Sequence, residues 1–198
     1  LSRRNAKTYF SVNRVIPQLV KEKPFIVSES IVLNEDDVNV VFIRTDPPFN
    51  EEYLLHTWVL SLLPRRIFVM NNPNGIRSVN EKIWATQFTS IIPETLISRN
   101  LAQLLAFTRC FDQVIAKPTD GFGGQSIFKV AKSDTNVKVI LETLTQRGSK
   151  EIILQQYVSA AQDGDKRILL LNGEPLGALL RVHSSEDHRN NFGGIICI

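Results

Sequence analysis

Hydrophobic and polar positions change rhythm repeatedly along this chain, and each change marks an element. Residues 25–32 and 38–43 are rich in β-branched side chains and read as strands. The second stops at Arg44-Thr45-Asp46-Pro47-Pro48-Phe49-Asn50, where paired prolines withhold ladder donors. Asn50 then caps a predicted helix over residues 51–63, with acids in its first turn and Leu54, Leu55, Trp58 and Leu62 at helical spacing, closed by Pro64. Residues 67–70 read as a short buried strand and Asn71-Asn72-Pro73-Asn74-Gly75 as a turn. Ser78-Val79-Asn80-Glu81 has capping-box spacing, which predicts a helix to about Phe88 with Lys82 in its first turn.

Beyond Pro93 the pattern predicts a strand at 95–98, a helix at 101–110 capped by Asn100, and strands at 114–117 and 126–130. A helix over 137–147 stops at Gly148, and a strand covers 151–158. Strands at 167–171 and 176–182 pair across Asn172-Gly173, a strong two-residue hairpin signal. Together these give an α/β class of mixed α+β kind, with a boundary near residues 71–77.

The segment with the most chemistry is Lys117-Pro118-Thr119-Asp120-Gly121-Phe122-Gly123-Gly124, set between two predicted strands. Glycines let backbone approach an anion closely, and exposed N–H groups beside one ammonium make a phosphate cradle. A chain of 198 residues that is 43% hydrophobic and 22% charged suits globular folding. The formal charge is +3, but residues 1–23 hold six Lys/Arg against Glu22, so +5 sits there and the remainder carries 3 − 5 = −2. That remainder is too weakly charged for a nucleic-acid footprint, and the basic start reads as a solvated or fraying edge. Cys110 and Cys197 have no metal or disulfide spacing, and no apolar run reaches membrane-spanning length, so a cytoplasmic location is expected. His56 sits among apolar neighbours on a helix and reads as structural; His183 and His188, at i, i+5 in a polar stretch, suit a mobile loop better than a metal site.

Eight blocks occur in an order that resembles the bacterial glutathione synthetase family of ATP-grasp ligases: Arg44-Thr-Asp-Pro-Pro-Phe49, Asn71-Asn-Pro73, Asn80-Glu-Lys82, Pro93-Glu-Thr-Leu96, the glycine segment from Lys117 to Gly124, Leu141-Glu-Thr-Leu-Thr145, Gln156-Tyr157 and Asp163-Gly-Asp-Lys-Arg167. The resemblance implies an ATP-grasp fold at 76–198 preceded by a partial Rossmann-like domain at 1–75. It implies ATP with Mg²⁺ or Mn²⁺ as cofactors, γ-glutamylcysteine and glycine as substrates, and a homo-oligomer.

The implied reaction makes an acyl phosphate on γ-glutamylcysteine, which the glycine amine attacks with release of ADP and phosphate. Lys82 and Lys117 would bind phosphate oxygens, and Gly121, Gly123 and Gly124 would form a flap over them. Residues 155–158 (Gln155, Gln156, Tyr157, Val158) would hold adenine, while Asp165 takes a ribose hydroxyl and Arg167 an anion. Arg181 and Arg189 would stabilise the oxyanion, with Asp46 and Asn191 on the substrate side. The family's first βαβ segment and its magnesium-holding Leu-Asp-Ile and Glu-Ile-Asn motifs are not recognisable here, so a chain truncated at both ends is expected, with no metal ligand named. A non-catalytic nucleotide-binding module and a ligase adding glutamate to another acceptor are the competing readings.

Overall fold

A computed structural model describes residues 1–46, 48–121, 123–182 and 196–197. The chain divides into two compact units, Leu1–Glu81 and Lys82–Ile198.

The first unit opens with β1 (Ser2–Arg4), β2 (Lys7–Pro17) and β3 (Phe25–Asn34), an antiparallel sheet in that order. The basic start is thus a hairpin, not a fraying edge. Asn5 and Ala6 both take left-handed φ (50° and 60°), as a two-residue hairpin turn requires. Acids at the far end of β3 supply partners for the basic strand: Lys7 pairs with Asp36 at 2.6 Å, and the buried Glu35 carboxylate accepts the Thr8 backbone N–H at 2.8 Å.

β4 (Val40–Phe42), α1 (Glu51–Ser61) and β5 (Phe68–Met70) form a βα unit in which β4 and β5 run parallel. Asn50 caps α1 through Oδ1 to the Tyr53 N–H at 2.9 Å, as its sequence predicts. Its buried positions, however, are Thr57 and Leu60, while Leu55, Trp58 and Leu62 are exposed. Phe10, Ile43 and Leu60 form the core of this unit. The expected turn at 71–75 is instead the start of α2 (Pro73–Ser78): Asn72 accepts the Asn74 N–H at 2.8 Å and Pro73 fills the first helical position. Consequently Ser78 ends a helix instead of opening one. Its hydroxyl donates to the Asn74 carbonyl, and only a 3-10 turn at Trp84–Gln87 follows. Lys82 therefore lies outside any helical first turn.

The second unit contains β6 (Thr95–Ser98), α3 (Leu101–Thr108), β7 (Gln113–Pro118), β8 (Phe128–Ala131), α4 (Val137–Leu144) and β9 (Ile152–Gln156). Its four-stranded antiparallel sheet has the order β6-β9-β7-β8. Alternation along the strands sends Val114, Ala116, Val130, Ile152 and Leu154 to one face, where they pack with Leu104 of α3 and with Val137 and Leu141 of α4. α4 ends three residues earlier than predicted, because Gln146, Arg147 and Gly148 all adopt left-handed backbone. A further sheet holds β10 (Asp165–Leu171), β11 (Glu174–Arg181) and β12 (Ile196–Cys197). Asn172 and Gly173, with φ of 52° and 88°, turn β10 into β11 as the sequence predicts.

Candidate functional site

The face of the four-stranded sheet opposite the core carries the polar chemistry. With Val114 and Ala116 committed to the core, Gln113, Ile115 and Lys117 point the other way. Ile115 stands in register with Lys129 on one side and Gln155 on the other, and Gln155 with Thr95 beyond it. One row therefore runs Lys129, Ile115, Gln155, Thr95, with Lys117 diagonal to Gln155. The Lys117 ammonium donates to Gln155 Oε1 at 3.0 Å, Gln155 Nε2 donates to Thr95 Oγ1 at 2.9 Å, and the Thr95 hydroxyl donates to the Pro93 carbonyl at 2.8 Å.

Lys117 delivers the chain directly into the glycine turn. Gly123, Gly124 and Ser126 are left-handed, with φ of 59°, 76° and 56°, so the turn doubles back tightly. A side chain at Gly121 would collide with the Pro118 ring. Lys82 reaches into this turn, where its Nζ donates to the Pro118 carbonyl at 3.1 Å and to the Gly121 carbonyl. Its ammonium is thus brought to the residue next to Lys117. Burial pushes the Lys117 pKa below the usual lysine value of 10.5, and the Lys82 charge pushes it further in the same direction. Lys150 and Asp120 pair across the outer rim at 3.3 Å, an exposed contact.

At its other end β9 leads to Tyr157, whose N–H donates to the Gln113 carbonyl at 3.1 Å. The Lys129 ammonium lies 4.1 Å from the centre of the Tyr157 ring, a cation–π contact. Gln156 turns to the opposite face from Gln155 and is exposed, as is Val158. Gly164, at φ 117°, lets the chain enter β10, and Asp165 there receives both Nε and Nη2 of Arg181 at 2.6 Å. That bidentate contact raises the affinity of Arg181 for its proton. Asp165 is therefore paired with Arg181 across the hairpin, and Arg167 stands opposite Leu179.

Lys82 and Gly121 thus meet at the glycine turn, Lys117 and Gln155 on the sheet face, and Asp165 and Arg181 on a hairpin. Asp46 is exposed in the first unit, while Arg189 and Asn191, with His183 and His188, lie outside the described residues. Thr95 and Lys129 are contributors that pattern reading missed. Their importance depends on cross-strand register, though the period-2 alternation of β8 was a usable signal for Lys129.

Two neighbouring ammonium groups beside a turn of left-handed backbone fit a polyphosphate, because an anion offsets both the burial and the lesser Lys82 repulsion that depress Lys117. A divalent metal finds no such fit: among the described residues no three His, Cys, Asp or Glu side chains gather to hold one. Among the described residues no helix is long and apolar enough to cross a membrane.

The sequence profile of the prokaryotic glutathione synthetase ATP-grasp domain matches residues 81–194, and that of the family's N-terminal domain matches residues 1–77. A glutathione synthetase of Nostoc is 43% identical over 81% of this chain and 51% of its own length. One from Escherichia coli K12 is 41% identical over 79% of this chain and 50% of its own. The chain spans about half the length of the curated relatives it matches. In structure it is similar to a D-cycloserine synthetase (TM-score 0.58, 16% identity, 76% of this chain and 54% of that one). It is also similar to a RimK domain ATP-grasp protein of Sphaerobacter thermophilus (TM-score 0.56, 15% identity, 74% and 56%). Those likenesses establish the ATP-grasp fold, and the profile match over more than half of the residues establishes descent: the chain belongs to the prokaryotic glutathione synthetase family.

Proposed function

We propose that this chain acts within an ATP-dependent carboxylate–amine ligase that joins γ-glutamylcysteine to glycine. The observation that carries the reading is the Lys82 ammonium held on the carbonyls of the glycine turn, close enough to the half-buried Lys117 ammonium for its charge to act on it. ATP, when bound, supplies the phosphoryl group that activates the dipeptide carboxylate. What remains for the protein is positioning and charge neutralisation.

In this reading Lys82 and Lys117 hold phosphate oxygens, and the backbone of Gly121, Gly123 and Gly124 covers them and excludes water from the activated carboxylate. Residues 155–158 take the adenine, with Tyr157 braced by Lys129. Asp165 keeps lone pairs for a ribose hydroxyl while both its oxygens receive Arg181, and Arg167 follows on the same strand face for an anion. Arg181 and Arg189 counter charge developing at the carbonyl, and Asp46 and Asn191 serve the dipeptide. No step is assigned to Mg²⁺ or Mn²⁺, since the described residues do not build a site for either. A homo-oligomer and a cytoplasmic setting complete the proposal.

Calorimetry with ATP, followed by an ADP-release assay with γ-glutamylcysteine and glycine added singly and together, tests it. Release that needs both substrates is the expected result. Absence of ATP binding rejects the site, binding without turnover leaves a nucleotide-binding module, and turnover with glutamate and a different acceptor selects the rival ligase.

A further inference from the structure

We infer that Thr95 is a positioning residue for the candidate phosphate site, acting through Gln155 on the Lys117 ammonium; the inference rests on the nucleotide reading above. The three side chains come from three neighbouring strands, β6, β9 and β7, and end on the Pro93 carbonyl. Each end of this chain of hydrogen bonds permits only one polarity. A lysine ammonium donates and never accepts, so Gln155 must show it the amide oxygen. A carbonyl accepts and never donates, so the Thr95 proton is committed to Pro93 and the hydroxyl lone pair is left for the Gln155 N–H. Both constraints agree on one orientation of an amide that could otherwise rotate half a turn.

That orientation matters because the alternative puts an N–H₂ group against a half-buried cation. Lys117 already holds its charge against burial and against the nearby Lys82. Losing the Gln155 oxygen removes its compensation on the sheet and leaves its reach toward the glycine turn unfixed. The Thr95 hydroxyl is engaged by Gln155 and by the Pro93 carbonyl, so its influence on Lys117 passes through Gln155. The strand contributes the rest: Thr95 and Gln155 are in direct register, so hydroxyl and amide meet without backbone adjustment.

The decisive substitutions are Thr95→Val, which keeps the branched shape and deletes the hydroxyl, and Thr95→Ser, which keeps the hydroxyl. ATP affinity is measured by calorimetry, and adenosine affinity by NMR shift titration. Thr95→Val is expected to weaken ATP binding about tenfold, the size of one displaced charge-assisted hydrogen bond, and to leave adenosine binding within twofold. Thr95→Ser should bind ATP as the parent does. Equal ATP affinity in parent and Thr95→Val overturns the inference, and so does a parallel loss for ATP and adenosine, which marks general damage to the sheet. A parent chain that binds no ATP rejects the nucleotide reading instead. In that event the Gln155 side-chain amide signals of the ligand-free chain still decide: they should shift and exchange faster in Thr95→Val, and unchanged signals overturn the inference.

Discussion

Replacing Gly121 by alanine measures how closely the glycine turn is drawn against its own entry strand. An added Cβ would stand 2.5 Å from Pro118 Cγ, with Pro118 Cδ and the Gln125 carbonyl oxygen at 3.5 Å. Carbon atoms in ordinary contact lie about 3.5–4.0 Å apart. The overlap is against a ring that cannot rotate aside, which places it in the overpacking range of about 1–3 kcal/mol. Relief by moving the peptide would draw the Gly121 carbonyl away from Lys82, whose ammonium it shares with Pro118. Such a bond to a charged group contributes about 1.5–3 kcal/mol. Taking the cheaper route, the turn should lose about 2 kcal/mol, or roughly 1 M in urea midpoint for a slope of about 2 kcal/mol/M.

Gly123 provides the control, because its added Cβ meets nothing within 4 Å and only its φ of 59° resists substitution. Pro118→Ala deletes the clashing Cγ, so it should rescue Gly121→Ala with a coupling of about 1–2 kcal/mol while coupling to Gly123→Ala stays within about 0.5 kcal/mol of zero. Urea unfolding followed by Trp84 fluorescence in a Trp58→Phe background reads the unit that contains the turn. Equal coupling in the two cycles would refute the steric account.

Leu104, fully buried on the inner side of α3, should lose about 2–5 kcal/mol on truncation to alanine, while the partly exposed Leu105 loses clearly less in the same urea titration. Lys82→Met should raise the pKa of Lys117 yet leave it below 10.5, since burial is the larger cause and persists; ¹³C NMR of labelled lysines reads this, and a full return to 10.5 would contradict it. The folded pKa of Lys117 is depressed, so the unfolded chain binds more protons just below pH 10.5 and stability should rise with pH across that window, less steeply in Lys82→Met. Lys129→Met should weaken the packing of the Tyr157 ring by about 0.5–1 kcal/mol, seen as a shift of the tyrosine ring resonances; unshifted resonances would deny the contact.

Elements whose signals are local were legible in the sequence. Asn50 caps α1, Asn172-Gly173 turns β10 into β11, and two strands frame the glycine turn, because each depends on residues within a few positions. The first hairpin escaped notice because its turn is Asn5-Ala6, and alanine rarely occupies left-handed backbone. The capping-box spacing at Ser78 misled for a competing local reason: Asn72-Pro73 begins a helix six residues earlier and consumes Ser78 as its last residue. Within the candidate site, Lys82 and Lys117 were recognisable by type and spacing. Their ties to the Pro118 and Gly121 carbonyls and to the Gln155–Thr95 relay join residues 36 to 60 positions apart, a span no local window along the chain contains.

β9 is a single rod carrying both ends of this arrangement. Gln155 steadies an ammonium, and two residues on Tyr157 is clamped by the Gln113 carbonyl and the Lys129 cation. A one-residue insertion or deletion in that strand would invert every side chain at once, sending Leu154 or Gln156 toward Lys117 and carrying Tyr157 away from Lys129. Length changes should therefore be purged from this segment while the Asn172-Gly173 tip accepts them.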